Sequence, residues 1–260
     1  MMESMLVKAV KSGSLDKVKA VLDDERYFHV NYGSGSALDW ACMMGNFDMV
    51  KFLIERGSDI IDECLYGLIW ASEKGFNEVV EYLLLKGANI HIDSDEPLMA
   101  AVRKNHIEVI KTLLGHGASV SAQNDYAIRW ASHYGYYEIV KLLAQYGADI
   151  HCGNDTPLCY AAENGNMDVV NLLIDLGADI HTHNDTPICF SSKYGDVETT
   201  KRLIDLGANI HTQTETPLCH ATVQGHTEII KLLVSKGAKL QVLDERQIKL
   251  SYVLDRMLRN

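Results

Sequence analysis

Apolar residues recur along the chain with helical rather than strand periodicity, and they come in pairs of runs. Between Thr156 and Gly177, Leu158, Ala161 and Ala162 share one face at i, i+3, i+4 spacing. A second run follows Gly165: Val169, Val170, Leu172, Leu173 and Ile174, a stripe wide enough to face two neighbours. A helix pair of this size cannot bury its own apolar surface, and stacking like pairs is the physical solution.

The pair repeats. One glycine returns every 30 residues: Gly57, Gly87, Gly117, Gly147, Gly177, Gly207 and Gly237. A second series runs Gly45, Gly75, Asn105, Gly135, Gly165, Gly195 and Gly225. Both predict helix C-terminal stops, and Asn105 fits because Asn is the next-best residue for a left-handed backbone. Thr156-Pro157, Thr186-Pro187 and Thr216-Pro217 predict an N-cap followed by Pro at the first helical position. The pattern predicts a single all-α domain over 1–260, a solenoid of stacked helix-turn-helix units. It holds about eight helix pairs across 4–237, at roughly 4–25, 36–57, 66–87, 96–117, 126–147, 156–177, 186–207 and 216–237. The first pair, with Lys8, Lys11, Lys17 and Lys19, is polar enough to cap one end. A capping helix at about 244–259, carrying Ile248, Tyr252, Leu254, Met257 and Leu258, is expected to close the other.

The run Thr156-Pro157-Leu158, Ala161-Ala162, Gly165, Val169-Val170-Asn171-Leu172-Leu173-Ile174 and Gly177-Ala178-Asp179-Ile180 resembles the ankyrin repeat, and the resemblance covers about 4–240. The third and fifth pairs lack Thr-Pro, reading Tyr66-Gly67 and Tyr126-Ala127. Ankyrin repeats are usually ~33 residues long, whereas these are 30. The shortfall falls in 177–186, which the resemblance makes the finger hairpin, so short fingers are expected. The histidine that usually follows Thr-Pro-Leu is replaced by Asp39, Ile69, Met99, Arg129, Cys159, Cys189 and Cys219. Short fingers with Ile-His are similar to those of the ankyrin proteins of giant DNA viruses of the mimivirus type.

Composition narrows the setting. No apolar run reaches the ~18 residues that span a bilayer, and Met1-Met2-Glu3-Ser4-Met5 carries no basic, then apolar, secretory leader. An intracellular, cytoplasmic protein is expected, in the host cell if viral. A net charge of −11 argues against nucleic acid and anionic membrane as partners. The six cysteines are then expected to be reduced. The Asn154-Asp155-Thr156 and Asn184-Asp185-Thr186 sequons are discounted on the same ground.

Two columns of residues invite chemistry. Cys159, Cys189 and Cys219 recur once per repeat, as do His91, His151, His181 and His211. Stacked helices lie ~8–10 Å apart, too far for a disulfide or for one shared metal. Buried apolar thiols and loop-stabilising imidazoles are expected instead. By the resemblance, the histidine position is one that asparaginyl hydroxylases modify in ankyrin proteins. No phosphate loop, dinucleotide fingerprint, zinc-protease motif or nucleophile elbow is present, so no catalytic residue, cofactor or metal is assigned and an enzyme is not expected.

The surface expectation comes from the helical wheel of the first helix. Leu38, Ala41 and Cys42 point to the second helix, so Trp40, Met43 and Met44 point away. By the resemblance, that face lines a concave groove. The equivalent positions give Trp70, Glu73, Lys74, Arg103, Lys104, Trp130, His133, Tyr134, Tyr160, Asn164, Lys193 and Tyr194 as candidate partner-binding residues. The leading aromatics either fill the seam between neighbouring first helices or meet a partner, and both hold if each ring packs one edge and shows the other. The function expected is a monomeric protein-interaction scaffold acting on host or viral proteins. The alternatives are a structural or self-associating virion component and a ubiquitin-ligase substrate adaptor. The adaptor ranks lower because only 23 residues follow Gly237.

Overall fold

The computed structural model describes residues 5–23, 37–60 and 66–239, apart from the side chains of 213–215. The predicted helix at about 244–259 and Cys64 lie outside the described residues. Sixteen helices are present among the described residues, with no strand, in the eight pairs that the periodicity predicts. The chain divides into two compact units, 1–127 and 128–260.

Unit 1 holds α1 (Met5–Lys11), α2 (Leu15–Leu22), α3 (Ala37–Met44), α4 (Phe47–Glu55), α5 (Gly67–Lys74), α6 (Asn77–Leu85), α7 (Glu96–Arg103) and α8 (Ile107–Gly115). The odd-numbered helices stack in order, as do α4, α6 and α8. Between the layers Leu38, Leu53, Leu68, Leu83, Leu98, Ile110 and Leu113 are almost wholly buried. Each such side chain contributes about 1.5–3 kcal/mol through burial. α9 (Ala122–His133) carries the boundary between the units. Unit 2 continues with α10 (Tyr137–Gln145), α11 (Cys152–Glu163), α12 (Met167–Asp175), α13 (Thr182–Tyr194), α14 (Val197–Asp205), α15 (Thr212–Gln224) and α16 (Thr227–Ser235). Here α11, α13 and α15 form one layer; in the other, α10 packs on α12 and α14 on α16, and Asn171 of α12 donates to Thr199 of α14.

The junction between helices one and two is a left-handed residue, as expected: Gly75 has φ +79° and Asn105 φ +60°. A second constraint is visible only in the stack. A Cβ on Gly75 would lie 2.6 Å from Nδ1 of His106, one repeat on, and a Cβ on Gly135 would meet Asn166 Oδ1 at 2.6 Å. The residue after the glycine therefore has two jobs. Asn46 and Asp196 accept from Met49 N and Thr199 N as N-caps, at 3.1 and 2.8 Å. His106 and His226 instead donate Nε2–H backwards to the carbonyls of Glu73 and Lys193, at 2.9 and 3.0 Å. Asn166 donates likewise to the carbonyls of Ser132 and His133. These are the carbonyls that the end of a first helix leaves without an intrahelical partner.

At Thr156 and Thr186 the predicted N-cap is not observed. Thr156 and Thr186 donate their hydroxyls to the carbonyls of Gly153 and His183, at 2.6 and 2.8 Å, rather than accepting from the helix. The cause is the shortened finger. Three successive left-handed residues precede the first helix: Asp93-Ser94-Asp95, Gln123-Asn124-Asp125, Gly153-Asn154-Asp155 and His183-Asn184-Asp185. Asn, Asp and Gly tolerate this backbone best. One tight left-handed turn thus takes the place of a projecting hairpin.

Candidate functional site

The turn ends in an aspartate that joins one repeat to the next. Asp95, Asp155 and Asp185 are nearly buried. Each carboxylate accepts Nδ1–H from the histidine four residues earlier, His91, His151 or His181, at 2.8–3.0 Å. The same oxygen accepts a backbone N–H of the following repeat, from Ser119, Asp179 or Asn209, at 2.8–3.1 Å. The turn's carbonyls are used as well: Thr182 and Thr212 donate to Asn154 O and Asn184 O, at 2.6 and 2.8 Å. The imidazole column therefore buttresses the fingers, and the first-helix face is held on a rigid base.

On the face of unit 1, Trp40 and Met43 are half-buried, Trp70 is 37% exposed and Met44 39% exposed. Lys11 Nζ lies 3.5 Å above the centre of the Trp40 ring, a cation–π contact. Lys104 pairs with Glu73 at 3.5 Å, and Arg103 pairs with Glu96. Burial alone would lower the Arg103 guanidinium, but Glu96 and the Tyr126 hydroxyl more than reverse this and hold it above its ordinary range. Lys74 is exposed, four residues after Trp70 on α5.

On the face of unit 2 the rings form a connected group. Trp130 and Tyr134 lie 4.6 Å apart centre to centre, His133 and Tyr134 4.7 Å, and His133 and Tyr160 5.8 Å. Tyr136 stacks on Tyr134 at 5.9 Å. Asn164 donates to His133 Nδ1 and to the carbonyl of Tyr160. Further along, Lys193 Nζ sits over the rings of Phe190 and Tyr194, at 4.8 and 5.3 Å. Trp130, Tyr160 and Phe190 are half-buried, whereas Tyr134 is 49% and Tyr194 45% exposed. The leading rings pack one edge, and the tyrosines one turn later stand out.

The wheel did not select Tyr136, Tyr66 or a separate apolar ridge. Tyr136 falls after the glycine, in the column of His106 and Asn166, which gave a usable signal. Tyr66 is exposed at the start of α5. Tyr146, Leu176 and Leu206 are exposed at the ends of α10, α12 and α14, each just before a finger glycine.

A family model described as ankyrin repeats (3 copies) matches residues 2–64, 68–154, 120–184 and 158–244. The chain is an ankyrin repeat protein. Among solved structures, the ankyrin repeat domain of human ASB11 matches at 24% identity, with a TM-score of 0.66, over 78% of this chain and 99% of that domain. No curated protein sequence matches. Ankyrin repeats form a family of non-catalytic modules that bind other proteins. No helix among the described residues of this ankyrin protein is long and apolar enough to cross a membrane.

One cysteine and one histidine do meet in this ankyrin stack. Cys159 Sγ lies 3.0 Å from His183 Nδ1 and 3.7 Å from Thr182 Oγ1. A thiolate would be required for nucleophilic chemistry. Burial pushes the Cys159 thiol up to about 11; Thr182 works against that, and Glu163 and Asp155 add to it. Burial and Asp185 push Cys189 up to about 12. Both thiols stay protonated at neutral pH and act as small core side chains. Among the described residues no three His, Cys, Asp or Glu side chains gather to hold a metal ion.

Proposed function

We propose that this ankyrin repeat protein binds a partner protein through the outward faces of its first helices. The observation that carries this is the connected group of Trp130, His133, Tyr134, Tyr136 and Tyr160, whose rings touch one another and are only partly covered. Rigid, half-exposed Trp and Tyr side chains supply contact area at low entropic cost and dominate binding energy where they occur at interfaces. Within unit 2 the proposed contacts extend to Asn164, Lys193 and Tyr194, and unit 1 offers its own first-helix face with Trp40, Met43, Met44, Trp70, Glu73, Lys74, Arg103 and Lys104. The compact left-handed fingers offer little area of their own, so helix side chains carry the recognition.

The setting we infer is the interior of a cell, which the free cysteines support. The 30-residue period and the Ile-His fingers support a viral protein acting on host or viral partners. Cross-linking and pull-down from source cells would name the partner. Trp70→Ala, Trp130→Ala and Tyr134→Ala, each shown to stay folded by circular dichroism, should then weaken binding by about tenfold or more each. An unchanged affinity in all three would overturn the proposal. Self-association is the second reading, favoured by the exposed ridge of Tyr146, Leu176 and Leu206. A monomer's molar mass by light scattering, constant over concentration, would exclude it.

A further inference from the structure

We propose that the first-helix face of unit 1 takes an acidic protein segment that also carries bulky apolar side chains. This deepens the function proposed above and rests on it.

The argument is one of charge. The chain as a whole carries −11. The outward faces of α1, α3, α5 and α7 run the other way. Lys8 and Lys11 stand on α1, Lys74 on α5, Arg103 on α7 and Lys104 at its C-cap. The carboxylates on this face are Glu73 and Glu96, and each is already paired, to Lys104 and Arg103. Lys8 and Lys74 are exposed and have no carboxylate partner among the described residues. The second helices of the same unit, with their C-caps, show no such excess: Asp16, Asp23, Asp48, Glu55, Glu78, Glu81 and Glu108 balance Lys17, Lys19, Lys51, Arg56, Lys86 and Lys111. The positive surplus is therefore confined to one side of the unit.

Apolar anchors sit between the cations. Trp40, Met44 and Trp70 present partly exposed surface, and Met44 lies against the end of α1, 3.9 Å from where a Gly13 Cβ would stand. A ligand that matches this face alternates carboxylates with aromatic or branched apolar side chains. Four stacked helices at ~8–10 Å spacing present ~25–30 Å of face, the length of about eight or nine extended residues.

Single-stranded nucleic acid is the competing class, since cations interleaved with rings also stack bases. The protein segment is favoured for two reasons. Methionine thioethers fit irregular apolar side chains better than base planes. A polyanion longer than the strip also meets the acidic remainder of the protein, whereas a short acidic segment does not.

The test is a random peptide display selection on the full chain, followed by fluorescence anisotropy with a recovered peptide. Recovered peptides should carry Asp or Glu between aromatic or leucine residues. Changing those acids to Asn and Gln, or the protein to Lys8→Glu with Lys74→Glu, should each weaken binding about tenfold, as several screened ion pairs together would. Both lysines are exposed, and circular dichroism confirms the fold. Lys51→Glu, the same charge change on the exposed side of the second helix α4, should leave this peptide's affinity unchanged. Neutral or basic peptides that ignore the lysine variant but are lost with Trp130→Ala overturn this inference and leave the groove function standing. Peptides insensitive to both, or no enrichment at all, overturn both. A single-stranded oligonucleotide of about ten residues that binds more tightly than the selected peptide, and is lost in the lysine variant, overturns the acidic-segment assignment in favour of nucleic acid.

Discussion

His106 donates its Nε2–H to the carbonyl of Glu73 across 2.9 Å, with its ring standing where a Cβ of Gly75 would be. One imidazole thus closes the end of the preceding repeat's first helix and uses the space that glycine leaves. Gly75→Ala adds a side chain both to a left-handed backbone and to an occupied site, and should cost about 2–4 kcal/mol of stability. His106→Ala should cost about 1–2 kcal/mol for the lost hydrogen bond and packing. In urea unfolding the double variant should lose less than the sum of the two, because removing the ring frees room for the alanine methyl.

Asp155 accepts from His151 within its own finger and from the backbone of Asp179 in the next. Asp155→Ala removes a nearly buried carboxylate and both of its hydrogen bonds, and should destabilise by about 1.5–3 kcal/mol in thermal or chemical unfolding. His151→Ala removes only the more exposed contact and should cost about 1 kcal/mol or less. Equal losses for the two would show that the aspartate does not join the repeats.

Ser72, Ser132 and Ser192 are fully buried, and their hydroxyls have no hydrogen-bond partner. Thr222, at the equivalent place, donates to Leu218 O at 2.7 Å. Replacing any of the three serines with alanine removes an unsatisfied group and raises helix propensity, a gain of about 0.5–1.5 kcal/mol each. The expected result is a higher Tm for each variant, and a drop would show that the hydroxyls find partners.

Raised thiol pKa values couple stability to alkaline pH. The unfolded chain loses the Cys159 and Cys189 protons near 9, the folded chain only near about 11 and 12. Below pH 9 both states hold the protons, and the contribution is fully present. Above that the unfolded state releases protons that the folded state keeps, so stability falls as pH rises towards the folded values. Unfolding free energies measured from pH 8 to 11 should decline, and Cys159→Ala with Cys189→Ala should flatten that limb. At pH 8 both thiols should react with iodoacetamide far more slowly in the folded than in the urea-unfolded protein.

Much of the architecture was written locally. The spacing of Leu158, Ala161 and Ala162, the stripe Val169 to Ile174 and the glycine steps are properties of single segments, so they fixed helix type, pairing and period without reference to any neighbour. Asn105 in place of glycine carried the same message, since left-handed backbone is a local preference. The outward placement of Trp70, Tyr134 and Tyr194 followed from helix geometry alone.

Contacts between repeats were decided by the stack. Thr156 looked like a helix cap from its neighbours, but the left-handed turn at Gly153-Asn154-Asp155 moved its hydroxyl onto a carbonyl behind it. The Asn-Asp before Thr-Pro held the signal for that turn, yet its use depends on Asp155 finding Asp179 N, 24 residues later. His106 and Asn166 reach back 33 residues to the carbonyls of Glu73 and His133, and the rings of Tyr134, His133 and Tyr160 meet across a repeat boundary. Periodicity reports which face a side chain occupies, because that depends only on dihedral angles along one helix. Which partner it meets depends on the offset between helices, and that offset is set by how the packed side chains of two repeats fill the space between them.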